Sequence, residues 1–136
     1  MALNKAYSQY KENSIYTSSP EELTFALYNG LVRFIMQAQL AIDDKNVEKA
    51  GSSIIKAQDI ITYLRETLDM KYEVSAGLDA IYEYLYNRLI TANIKKDKEI
   101  LEEVLGFAKE LRDTWAQAMK VAKHGFKPEL APRQQD

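Results

Sequence analysis

The sequence predicts an all-α protein: an antiparallel up-down four-helix bundle with an N-terminal cap segment and a disordered C-terminal tail. Three observations carry that prediction. Apolar residues recur at spacings of three and four through most of the chain. Only 5 glycines and 3 prolines interrupt 136 residues, too few for the turns a β protein needs. The polar breaks between periodic stretches are short, which favours antiparallel neighbours. The length suits one domain with one core, divided into a cap segment at 1–18, the bundle at 19–124 and a flexible tail at 125–136.

The first helix has the sharpest start. Ser19 is placed to cap it, Pro20 fits its first position, and Glu22, three after the cap, closes a capping box. The helix should run from about Pro20 to Asp43 with Leu23, Leu27, Tyr28, Leu31, Phe34, Ile35 and Ile42 on one stripe. Phe25, Val32, Met36 and Leu40 stand off that stripe, more apolar surface than one packing face uses. After the polar run Asp43-Asp44-Lys45-Asn46, the second helix carries Val47, Ala50, Ile54, Ala57, Ile61, Leu64 and Leu68, with Ile55 and Ile60 to either side, and should end near residues 69–72.

Ser75 is the expected cap of the third helix, whose core positions are Leu78, Ile81, Leu85, Leu89 and Ala92. Tyr82, Tyr84, Tyr86 and Ile90 spread apolar character around this cylinder too. Asn93 suits a left-handed helix end, and Asp97 is placed to cap the fourth helix after a tight turn. That helix aligns Leu101, Val104, Leu105, Ala108, Leu111, Trp115, Ala118 and Met119, with Ile100 and Phe107 beside them, and should close at Gly125. The remaining residues have no periodicity and read as a mobile tail.

Composition narrows the chemistry. With no cysteine there is no disulfide, thiolate metal site or cysteine nucleophile, as suits a reducing compartment. The net charge of −2 arises from 18 basic and 20 acidic residues without a long run of either sign, which argues against a nucleic-acid footprint. Residues 1–5 lack the apolar stretch of a secretory signal, and no segment approaches a membrane span, so a soluble intracellular protein is expected. The single histidine, His124, reads as a helix-end residue, and one histidine cannot build a di-metal bundle site. Adjacent pairs such as Glu21-Glu22 and Glu102-Glu103 point in different directions and read as solvated faces. No phosphate loop, nucleophile elbow or metal spacing occurs, so neither a catalytic residue nor a cofactor is assigned, and nothing argues for an enzyme.

Nine tyrosines suit either bundle edges or a binding interface. Tyr7 and Tyr10 precede the first helix in a segment too short for a bundle helix, where they would serve as a removable cover over a groove.

Several separated blocks resemble one family, the FliS-type flagellar export chaperones. They are Ala6-Tyr7 with Asn13; Ser19-Pro20-Glu21-Glu22-Leu23-Thr24 with Leu27-Tyr28-Asn29-Gly30; Ile55-Lys56-Ala57-Gln58-Asp59-Ile60-Ile61; Tyr82-Glu83-Tyr84-Leu85-Tyr86-Asn87-Arg88-Leu89 followed by Ala92-Asn93-Ile94-Lys95; and Leu111-Arg112-Asp113-Thr114-Trp115. Their order and spacing fit from about Tyr7 to Met119. The resemblance implies a cytoplasmic four-helix bundle that binds the disordered C-terminal region of flagellin in apolar grooves. It would thereby prevent premature polymerisation and support delivery to the flagellar export apparatus. It leaves open whether a co-chaperone or regulator also binds, and whether the chain is a monomer or a homodimer.

The residues expected to contact the partner are Ile55, Tyr82, Tyr86 and Ile90, which stand off the main stripes, with Tyr7 and Tyr10 resembling the family's N-terminal cap. Trp115, Leu64 and Leu85 are expected in the core, where truncation costs about 3–5 kcal/mol. The alternatives are a self-associating structural or adaptor bundle that buries its surplus faces in a homodimer, and a bundle enzyme for which the ligands are missing.

Overall fold

A computed structural model describes residues 19–123, which form four helices and no strand among the described residues. They are α1 (Pro20–Asp43), α2 (Val47–Glu66), α3 (Glu73–Lys95) and α4 (Lys98–Lys123). Tyr7, Tyr10, His124, Gly125 and the tail lie outside the described residues.

Local chemistry sets the ends of α1 as expected. Glu22 N donates to Ser19 Oγ at 3.2 Å and Ser19 N donates back to Glu22 Oε1 at 3.0 Å, with Pro20 in the first turn. At the other end Lys45 turns the chain with φ 58°, a left-handed conformation that costs a side-chain-bearing residue some strain. Asn46 then caps α2 by accepting from Lys49 N at 3.1 Å.

Three boundaries differ from expectation. The second helix stops at Glu66, short of residues 69–72. The third begins at Glu73, so Ser75 is not its cap: Ser75 is buried in the first turn and its hydroxyl donates to Asp69 O at 2.7 Å, tying helix to loop. Tyr72 occupies the cap position without a side-chain capping bond, a choice that forgoes about 1 kcal/mol. Asn93 stays helical, and the left-handed residue is Lys96, φ 50°, whose ammonium folds back on Asn93 O and Oδ1 at 2.8 Å each. Asp97 does cap α4, accepting from Glu99 N at 2.8 Å and Ile100 N at 3.3 Å.

Each helix packs against the two beside it, α1 on α2 and α4, and α3 on α2 and α4, which closes an antiparallel ring. The axis is filled by Leu27, Leu31, Ile35, Ile54, Ile61, Leu85, Leu89, Leu101 and Val104, all essentially inaccessible. Alanines 38, 50, 57, 92 and 108 are also fully buried and let helices approach closely. Gly30 extends that approach, since a Cβ there would sit 3.2 Å from Ile60 Cδ1.

Leu64 and Leu85 are core residues as expected, whereas Trp115 is only half-buried. Its ring meets Tyr28 edge-on at 6.2 Å and its Nε1 donates to Glu21 O at 2.8 Å. Because Trp115 is level with the first turn of α1, little of α1 remains to cover the last turns of α4, and Ala118 is exposed. Val47, in the first turn of α2, is likewise exposed, while Val32 is buried rather than awaiting a cover. No helix is long and apolar enough to cross a membrane among the described residues.

Candidate partner-binding groove

Two contacts register α3 against α2. Arg65 Nε donates to Asp79 Oδ1 at 2.9 Å near one end. At the other, Asn93 Oδ1 lies 3.4 Å from where a Cβ on Gly51 would be. In an antiparallel pair those contacts set Ile55 level with Leu89 and Ile90. Gly51, Ile55, Gln58, Thr62 and Arg65 share one stripe of α2 at alternating spacings of four and three, and Asp79, Tyr86, Ile90 and Asn93 share the facing stripe of α3.

The groove side chains sit one position past core residues: Ile55 follows Ile54, Tyr86 follows Leu85, and Ile90 follows Leu89. A one-residue step rotates a side chain about 100° around a helix, enough to move it from the axis to the rim. Ile55 is therefore 49 % exposed and Ile90 40 %, while Tyr86 packs partly against the core. Toward the Arg65 end the floor opens into a shallow pocket of about 280 Å³ lined by Thr62, Arg65, Glu66 and Tyr86.

Tyr82, one turn before Tyr86, does not reach this surface. It is 2 % exposed, and its hydroxyl pairs with that of Tyr28 across the bundle at 2.5 Å. A helix turns 400° in four residues, so Tyr82 lands 40° inward of Tyr86, and the buried hydroxyl of Tyr28 supplies the partner that makes its burial tolerable. Burial pushes both phenols above their ordinary range, so they stay protonated and donate or accept as neutral groups. Of the six partner-contact residues expected from sequence, Ile55, Tyr86 and Ile90 are brought together, Tyr82 lies beneath them, and Tyr7 and Tyr10 fall outside the described residues.

The polar residues of the groove carried no periodic signal. Arg65 and Asp79 are 14 apart in sequence and become partners only when α3 folds back on α2. The hydrogen bond to Asp79 holds the guanidinium protonated, and the same bond draws the Asp79 carboxyl below its usual range. No group of three or more His, Cys, Asp or Glu suited to a metal ion occurs among the described residues. What the groove offers is an apolar strip with an ion pair at one end, which suits an amphipathic helix rather than a reacting small molecule.

Comparison with known proteins reaches most of this chain. The family model described as flagellar protein FliS matches residues 3–122. A flagellar secretion chaperone FliS of Bacillus subtilis (strain 168) is 44 % identical over 120 residues, which are 88 % of this chain and 90 % of that protein. Flagellar secretion chaperone FliSB of Pseudomonas aeruginosa is 34 % identical over 117 residues, 82 % of this chain and 93 % of its own length. The Escherichia coli (strain K12) flagellar secretion chaperone FliS is 32 % identical over 119 residues, with 85 % and 88 % covered.

Proposed function

From the premise that this chain belongs to the FliS family of flagellar proteins, we propose that it is a cytoplasmic secretion chaperone for flagellin. It holds the disordered C-terminal region of flagellin along the α2–α3 groove. The observation that carries this reading is the placement of Ile55, Tyr86 and Ile90 on one rim, the two isoleucines exposed and the tyrosine half-buried against the core.

The mechanism is a competition for apolar surface. A flagellin segment with apolar residues every three or four positions folds into a helix whose stripe lies on Ile55 and Ile90, and the groove withholds that stripe from other subunits. Covering the exposed half of each isoleucine contributes about 1 kcal/mol. Ordering a disordered segment costs several kcal/mol, so the contact must extend beyond these residues along the bundle. Moderate affinity is also what permits release at the export apparatus. Tyr7 and Tyr10 act as a removable cover that the incoming segment displaces, and Tyr82 supports Tyr86 from below.

Isothermal titration with the C-terminal segment of the cognate flagellin, beside circular dichroism of the mixture, tests this reading. A one-to-one complex with helix gained and a negative heat-capacity change is expected. Absence of binding, with the free chain sedimenting as a stable homodimer, would replace it with self-association.

A further inference from the structure

The turn between α2 and α3 carries a second apolar surface, at the end of the bundle rather than along its side. Met70 is 59 % exposed, Tyr72 58 % and Val74 67 %, three large side chains within five residues. None of them is needed to build the turn. Its polar groups are satisfied by Asp69, whose carbonyl accepts from Tyr72 N at 3.2 Å and from the buried Ser75 hydroxyl at 2.7 Å, and whose carboxylate accepts from Lys71 N at 3.2 Å. The turn is thus held in one shape, and Tyr72 stands where a capping serine or aspartate would serve α3 better. A rigid turn that presents apolar side chains loses little conformational freedom on docking.

At this tip two carboxylates, Asp69 and Glu73, stand against one ammonium, that of Lys71, which also lies 5.6 Å from the centre of the Tyr72 ring. Glu73 is exposed and makes no ion pair among the described residues, and Asp69 is only loosely matched by Lys71 at 3.8 Å. A second copy is a poor occupant, because two acidic tips would repel. Three side chains also offer a few hundred Å² against the roughly 800 Å² per partner of a stable interface. We propose that the α2–α3 tip is a separate docking point that inserts Met70, Tyr72 and Val74 into an apolar pocket, rimmed by lysine or arginine, on a folded protein. Such a contact is weak and transient by its size, and leaves the side of the bundle free.

This inference does not rest on the flagellin reading, and its test needs no flagellin. A benzophenone amino acid replaces Tyr72 in the full chain, cells are irradiated, and the adducts are identified by mass spectrometry. The expected result is one discrete adduct with a third protein, attached at an apolar site flanked by basic residues, whose yield falls about fivefold when Glu73→Lys is added. No adduct overturns the proposal. So does an adduct to residues 1–18 of the same chain, to a second copy or to flagellin, or a yield indifferent to Glu73→Lys. Unchanged melting of both variants excludes loss of the fold as the cause.

Discussion

The α1–α4 boundary and the α2–α3 boundary are built from the same antiparallel geometry and finished differently. Along α1–α4, Gln39 donates to Glu102 at 2.9 Å, Lys98 donates to Asp43 at 2.8 Å, and Trp115 reaches Glu21 O at 2.8 Å, so polar links recur from end to end. Met36 and Leu40 are exposed there, but Leu40 lies between Gln39 and Asp43, both already engaged. Along α2–α3 the ion pair Arg65–Asp79 closes one end, and Ile55, Tyr86 and Ile90 occupy the middle. A helix laid on the first boundary must sit over polar pairs that gain nothing from it. On the second it covers hydrocarbon. Exposed apolar side chains alone do not make a groove; what separates them does.

The largest effect tests whether groove and core are separable at all. Leu85→Ala, one residue from Tyr86 but fully buried, should lower stability by about 2–5 kcal/mol in chemical denaturation. A loss below about 1 kcal/mol would mean that the rim and the axis are not distinct. Next is Tyr82→Phe, which leaves the buried Tyr28 hydroxyl without its partner and should cost about 1–3 kcal/mol; adding Tyr28→Phe should recover part of that loss. Additive losses would show that the pair is not coupled.

Trp115→Phe addresses the sealed boundary, removing one hydrogen bond to Glu21 for about 1 kcal/mol of stability with flagellin affinity unchanged. A drop in affinity there would erase the contrast between the two boundaries. Ile55→Ala should do the reverse, weakening flagellin binding about fivefold in titration, a change of about 1 kcal/mol, while melting hardly moves. If the variant melts early and its folded fraction binds normally, Ile55 belongs to the core and not the groove.

The smallest effect concerns pH. Asp79 is held low by its hydrogen bond to Arg65, and Glu103 by the Tyr84 hydroxyl first and then Arg88. Each contributes stability above the unfolded carboxylate range near pH ~4 and loses it as pH falls through the lowered value. Asp79→Asn with Glu103→Gln should therefore flatten the acid limb of the stability profile below the unfolded carboxylate range near pH ~4, and leave its slope at higher pH unchanged. An unaltered acid limb would show that these half-buried pairs contribute nothing measurable.

Elements and their starts were legible wherever the cause is local. The capping box at Ser19, the Asp97 cap and the three-four spacing of Leu27, Leu31 and Ile35 act within one or two turns, so the sequence states them directly. The groove was legible in part for the same reason: Ile55, Tyr86 and Ile90 each stand one step off a buried stripe that periodicity reveals.

Tertiary structure alone decided the rest. The inward turn of Tyr82 depends on Tyr28, 54 residues away, and the exposure of Val47 and Ala118 on where a neighbouring helix begins or ends. The start of the third helix at Glu73 is a nearer effect, since Ser75 bonds the Asp69 carbonyl only six residues back, within the turn itself. Periodicity reports the direction in which a side chain points along its own helix. Whether another helix lies in that direction is set by packing between segments far apart in the chain.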